Sequence, residues 1–272
     1  MNDEFEEAHS RGGTLPLADL ERGAFIRDHI PDGVQTILDV GCGMGQITKI
    51  LGETHDVTGL ELSHVAVEKA AKLGVAVVPG GIDKLPFPDG SFDLVMGAEV
   101  LEHLDEELFA KGVREIARVA AQFVLLTLPN RDRLQALRQE CPNCRSILVP
   151  WGHIRSFDVE YARHLFDDLG FSSQQVELFG PLITNNHKLL CRLLRSHRWF
   201  RNRLHPGNQC PVCKYVERAP AIRKPNLGDF FARPAFTLSH VLDYVALKLS
   251  PKCRRWILAV YKTDGNCVHS SL

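Results

Sequence analysis

The run QTILDVGCGMGQITKIL, residues 35–51, constrains this chain more than any other stretch. A short apolar, β-rich segment ends near Asp39, three alternate glycines follow, and an amphipathic pattern resumes at once. Apolar runs of that length bounded by glycine read as strands, and the pattern after the turn reads as a helix. The alternation then continues. DVTGLEL is a second strand ending near Glu61, SHVAVEKAAKLG a helix capped by Ser63 and stopped by Gly74, and VAVVP, FDLVMG and FVLLTLP are further strands. EELFAKGVREIARVA is the helix between the last two. Strands alternating with helices predict an α/β fold with a mostly parallel sheet covered on both faces.

On such a sheet, ligands bind beyond the carboxyl ends of the strands, where a glycine turn lets backbone come close. Glu61 stands about twenty residues past the first glycine, the offset at which an acid accepts hydrogen bonds from a ribose diol. The turn itself, Gly41-Cys42-Gly43-Met44-Gly45, is G-x-G-x-G. Dinucleotide binders carry G-x-G-x-x-G, so the spacing argues against a nicotinamide cofactor.

Taken in order, ILDVGCGMGQITKIL, Glu61 and LPFPDGSFDLVMGAEVLEHL resemble the class I S-adenosylmethionine-dependent methyltransferases, in particular the small-molecule branch of ubiquinone and menaquinone methyltransferases. The resemblance covers roughly residues 34–130. It implies a Rossmann-like, seven-stranded sheet with the last strand antiparallel, and S-adenosylmethionine as methyl donor. Carried over by residue, it places Asp39, Gly41, Gly43 and Gly45 around the methionine part of the cofactor, Glu61 on the ribose and Leu62 against the adenine. Ile82 and Asp83 fall beside the adenine edge, with Gly81 standing where the family more often has an acid. Ala98 and Glu99 border the methyl-donor pocket. His103 belongs to the E-V-L-E-H-L hallmark and is read as a residue that packs at a helix start. GAEV occupies the place of an N-P-P-Y motif, which argues against methylation of adenine or of glutamine side chains.

His153, in G-H-I-R-S-F ahead of an expected helix over 158–169 and of Gly170-Phe171, is the candidate catalytic residue, an acceptor-side base or positioning group. Arg155 beside it suits an anionic acceptor. A sulfonium carries its own leaving group, so the protein has chiefly to align a nucleophile and, for a hydroxyl, to help remove a proton.

Two C-P-x-C pairs, Cys141/Cys144 and Cys210/Cys213, are separated by 65 residues. Four thiolates at this spacing suit a closed, structural Zn2+ site. Neither pair opens a helix of a thioredoxin-like unit, which argues against redox work. The expected sixth strand, 171–179, and final antiparallel strand, 254–263, put an insertion between them. The expected organisation is thus a tail and core over 1–180, a zinc-knuckle insertion over 181–250, and a last core strand with a tail over 251–272. Both knuckles are expected to leave the sheet from the acceptor edge.

Charge is divided unevenly. Residues 1–140 hold 13 Lys and Arg against 24 Asp and Glu, whereas residues 141–272 hold 19 against 9. The basic half suits a small anionic acceptor, such as a nucleotide sugar, or attraction between the halves. A basic amphipathic stretch over 187–205 suits peripheral membrane contact or packing on the domain beneath. The acidic start carries no secretory pattern and no run reaches eighteen apolar residues, so a cytoplasmic location is expected. Two other readings stand beside a small-molecule enzyme: an RNA base methyltransferase with a zinc module, and a zinc-stabilised binding or scaffold protein without turnover. The wide split of the pairs and the scarcity of aromatics among basic residues argue against nucleic acid. Nothing in the pattern implies an obligate protein partner.

Overall fold

A computed structural model describes residues 17–131, 139–148, 152–184, 213 and 252–265. The chain divides into two compact units, one of 1–136, 151–180 and 255–272, the other of 137–150 and 181–254.

The first unit is built on a seven-stranded sheet in the order β3-β2-β1-β4-β5-β9-β8. Its strands are β1 (Thr36–Val40), β2 (Asp56–Glu61), β3 (Ala76–Pro79), β4 (Phe92–Ala98), β5 (Ala120–Pro129), β8 (Phe171–Thr184) and β9 (Lys252–Thr263). The first five pair in parallel, and β9 runs antiparallel to β5. The fold is therefore the Rossmann-like mixed sheet expected from the sequence.

Helices α1 (Leu17–Arg27), α2 (Gln46–Leu51), α3 (His64–Lys72), α4 (Glu106–Val119) and α5 (Val159–His164) accompany it. Successive residues of a strand point to opposite faces, and both faces are apolar here. Ile37, Leu94, Met96, Leu125 and Leu258 join α1 and α2 residues in one core. Leu38, Val95, Val124, Leu126, Ile257 and Ala259 join α4 and α5 residues in the other. Burial on both sides explains why these strands read as continuous apolar runs.

Local signals operate as the sequence suggests. Ser63 accepts a hydrogen bond from the Ala66 amide at the start of α3, and Asp105 and Asp158 do the same for α4 and α5. At the amino end of the strands, Asp93 accepts hydrogen bonds from the Gln35 amide and from the Thr36 amide and hydroxyl. These bonds latch β1 to β4 and hold the Asp93 carboxyl below its ordinary range. Helix α1 docks by stacking Phe25 on Phe179 and pairing His29 with Glu177 at 2.6 Å.

Two expectations are corrected. The helix over 158–169 is interrupted: α5 ends at His164, and a separate 3-10 turn covers Asp167–Leu169. The buried Tyr261 hydroxyl donates to the Ala162 carbonyl, which ties α5 to β9. The sixth strand runs to Thr184 rather than ending at 179, so it enters the segment expected as insertion.

In the second unit, β6 (Gln139–Glu140) and β7 (Ile147–Leu148) form a small antiparallel hairpin around the first cysteine pair. The basic stretch 187–205 and Cys210 lie outside the described residues. Among the described residues no helix is long and apolar enough to cross a membrane.

Candidate cofactor and acceptor site

The glycine turn after β1 is folded back onto the end of β2. The Gly41 and Cys42 amides both donate to the Leu60 carbonyl, at 2.7 and 3.1 Å. Gly41 has φ +71°, and a Cβ there would lie 2.5 Å from a methyl of Val100. Gly43 has φ +55°, and a Cβ there would meet nothing within 4 Å. Backbone of this hand is strained for other residues. At Gly41 a side chain is also sterically barred, whereas at Gly43 the space it would fill stays open to a ligand.

Glu61 ends β2 and is 7% exposed. One carboxylate oxygen accepts the Gly43 amide at 2.9 Å, and the other accepts the Ser63 amide at 2.8 Å. The acid thus ties the turn to the start of α3. A carboxylate offers about four lone-pair sites, so two such bonds leave acceptor capacity for a diol.

Asp39 is buried at the end of β1, its carboxylate accepting the Thr48 hydroxyl of α2 at 2.7 Å. Burial pushes its pKa up to about 6; the Thr48 hydrogen bond opposes the shift and the Glu61 charge adds to it. The same burial, with the charges of Asp39 and Glu61, raises the Cys42 thiol far above neutrality. The Cys42 side chain fills the space beside Gly59.

Leu62 is 56% exposed immediately after Glu61. A Cβ on Gly81 would lie 2.5 Å from a carboxylate oxygen of Asp83 and 4.0 Å from Leu62. Asp83 therefore folds over the backbone of Gly81, beside the position of the family's more usual acid. Ile82 packs against Gly112 of α4, which has no side chain to displace it.

Beyond β4, Ala98 pairs with Thr127 of β5, and the Glu99 amide donates to the Thr127 carbonyl at 3.0 Å. Glu99 has φ +59°, strained backbone of the kind that collects at functional sites. The following 3-10 turn, Leu101–His103, is anchored by buried Leu101 and Leu104. Its Glu102 carbonyl accepts the amides of Ile154 and Arg155, at 2.8 and 3.2 Å. This brings His153, which is buried, against Glu102 and His103. The His103 and His153 rings meet edge to face, with centroids 4.9 Å apart. Arg155 lies 3.8 Å over the Phe109 ring and pairs with Glu106 at 2.8 Å.

The partnership of Glu102 with both histidines escaped the sequence reading. An acid within the apolar run E-V-L-E-H-L, three residues after Glu99, is its one visible signal.

In the second unit, the sulfur atoms of Cys141, Cys144 and Cys213 all lie within 4.8 Å of one another. Cys141 and Cys213 are 3.6 Å apart and are not joined by a disulfide. Thiolates at about 2.3 Å on a tetrahedral zinc ion are separated by about 3.8 Å. The backbone curls as a knuckle, with the Arg145 amide donating to the Cys141 carbonyl and the Cys141 amide to the Ser146 carbonyl.

A G-x-G turn bridged by the acid of the next strand, at the carboxyl edge of a 3-2-1-4-5-7-6 sheet, defines a nucleoside-cofactor-binding α/β domain. Residues 38–124 match the family model described as "Methyltransferase domain". By this match the core of the chain is similar to a methyltransferase domain. It is 32% identical over 159 residues to the 2-methyl-6-phytyl-1,4-hydroquinone methyltransferase of Synechocystis, covering 55% of this chain and 50% of that protein. It is 31% identical over 191 residues to the tocopherol O-methyltransferase of Arabidopsis thaliana, covering 60% and 54%. The chain thus spans about half the length of these two relatives. A methyltransferase structure from Archaeoglobus fulgidus superposes with a TM-score of 0.54 at 16% identity, over 90% of this chain and 94% of that one, and bears on the fold alone.

Proposed function

We propose that this chain transfers a methyl group from S-adenosylmethionine to a hydroxyl of a small-molecule acceptor. The observation that carries this reading is the Glu61 bridge between the Gly43 amide and the start of α3, beside the space left open at Gly43. The residues suit the cofactor: Glu61 for the ribose hydroxyls, Leu62, Ile82 and Asp83 for the adenine, and Asp39 with Gly41, Gly43 and Gly45 for the methionine part. Ala98 and Glu99 border the methyl. When bound, the cofactor supplies an electrophilic methyl on a positively charged sulfur. The chain's own task is alignment of the acceptor and removal of its proton, and His153 is the acceptor-side residue for that task.

The named substrates of the relatives, a hydroquinone and a tocopherol, favour a ring hydroxyl on an apolar body. Ile154, next to His153, is 55% exposed and suits such a body. The basic second half of the sequence keeps an anionic acceptor, such as a nucleotide sugar, in view. Calorimetry with S-adenosylmethionine is expected to show one site per chain, and folded protein without binding would overturn the cofactor assignment. Turnover on a panel of quinols, chromanols and nucleotide sugars is then expected to be greatest with a ring hydroxyl. Greater turnover with nucleotide sugars would replace that acceptor class.

Cys141, Cys144 and Cys213, with Cys210 as fourth ligand, are proposed to hold a structural zinc ion. Four protein ligands close such a site to substrate and water. Elemental analysis is expected to find thiolate-bound zinc that a Cys141→Ser substitution releases, with a lower melting temperature. A stable wild-type protein without zinc would remove the site.

A further inference from the structure

The methyl-transfer reading gives His153 a role but leaves its neighbours Glu102 and His103 without one. Ligand atoms of Glu102, His103 and His153 all lie within 4.8 Å of one another. The His153 Nε2 atom is 3.8 Å from Glu102 Oε1, beyond ordinary hydrogen-bonding reach. Two donors each about 2.1 Å from one ion are at most about 4.2 Å apart. The pair therefore fits the span of donors sharing an ion.

The placement is held from both sides. Glu102 is fully buried and His153 is 8% exposed. The two chain segments, fifty residues apart, are joined by the amides of Ile154 and Arg155 on the Glu102 carbonyl. Arg155, the nearest cation in sequence, is engaged by Phe109 and Glu106. Glu102 and His103 follow within five residues of Ala98 and Glu99, the residues assigned to the methyl-donor border.

We propose that Glu102, His103 and His153 form a divalent transition-metal site of the open kind, which binds the acceptor hydroxyl. Two imidazoles and one carboxylate select zinc, manganese, iron or cobalt over magnesium and calcium. Three protein ligands leave positions for substrate oxygen, unlike the closed four-cysteine set. A hydroxyl on such an ion is acidified and loses its proton to solvent. The oxygen lone pair then forms the O–CH3 bond, while the S–CH3 bond breaks with its electron pair remaining on sulfur. The ion is neither oxidised nor reduced. On this account His153 is a metal ligand rather than the base itself. The role in transfer rests on the proposed function, whereas binding of the ion does not.

The test is cobalt titration of the full chain after chelation, in a Cys141→Ser/Cys144→Ser background. One Co2+ per chain is expected, with visible ligand-field bands and no sulfur-to-cobalt charge-transfer band. His103→Asn, His153→Asn and Glu102→Gln are each expected to weaken cobalt binding at least tenfold, while affinity for S-adenosylmethionine and the melting curve stay as in the parent. Absence of stoichiometric cobalt in the folded parent, or undiminished binding in all three variants, overturns the site. If the serine background does not fold, the wild type gives the same reading: a sulfur-free spectral component supports the site, and a purely sulfur-ligated spectrum overturns it. Failure of S-adenosylmethionine to bind the wild type would sink the cofactor assignment and leave the cobalt result standing. With an accepted substrate, chelation is expected to reduce turnover at least tenfold, and added Zn2+ or Mn2+ to restore it. Full turnover by metal-free protein overturns the catalytic part of the proposal.

Discussion

Replacing Glu61 with alanine is expected to weaken S-adenosylmethionine binding by about 100-fold, or about 3 kcal/mol. The substitution removes the acceptors for the Gly43 and Ser63 amides and, on the proposed function, those for the ribose hydroxyls. Hydrogen bonds to a charged group contribute about 1.5–3 kcal/mol each, and a buried donor left unmet costs about 1–3 kcal/mol. Not all of this adds, because the turn can shift once released. Glu61→Gln keeps the length and one oxygen but lacks the charge, so a smaller loss, about tenfold, is expected. Calorimetry on both variants decides the matter. A folded Glu61→Ala protein that binds the cofactor like wild type would remove Glu61 from the site.

Asp39→Asn is expected to stabilise the protein without cofactor near neutral pH while weakening cofactor binding. The folded-state pKa of Asp39 is raised from the model-compound value of 3.8 to about 6, chiefly by burial. Between those values the folded state holds more protons than the unfolded one, so the group's contribution to stability falls as pH rises. The full penalty is reached above about pH 6 and is on the order of 3 kcal/mol, at about 1.4 kcal/mol per pKa unit. Asparagine does not ionise and can still accept from Thr48. The stability difference between variant and wild type should therefore be small near about pH 4 and grow to about 2–3 kcal/mol by about pH 7. Urea unfolding across that range measures it. A difference that stays flat with pH would mean that the carboxyl titrates normally. Where a ligand ammonium neutralises Asp39 the sign reverses, which is how a buried acid can be costly to the empty protein and useful to the loaded one.

Much of the fold was legible because the sheet is buried on both faces. Ile37 and Leu38, adjacent in sequence, enter opposite cores, and such strands appear as unbroken apolar runs. Ser63 and Gly74 marked the limits of α3 through local capping chemistry, which a sequence displays directly. That Glu61 ends β2 next to the glycine turn was legible from the apolar run before it. The break after His164 was not legible, because the apolar spacing runs on through Leu165 and Phe166 to Leu169. The grouping of 137–150 with 181–254 is a long-range matter. Glu102 was missed for a different reason. One sequence shows that an acid is present but not that it is buried, and here its main-chain carbonyl, not its side chain, recruits the loop carrying His153.

The latch at Asp93 gives the sheet two ends of opposite temperament toward acid. Asp93 joins β1 to β4 at their amino ends, and its pKa is lowered by the amides it accepts. Its contribution is present above the unfolded value of 3.8 and is lost only as pH falls through the lower folded value. Asp39, three residues along β1 from Thr36, takes up its proton near pH 6 instead. Mild acidification of the empty protein thus relieves the strain at the carboxyl edge first and leaves the amino edge fastened. The seam between β1 and β4 is a graded one, in which the end carrying Asp39 is held in tension and the other end serves as its anchor.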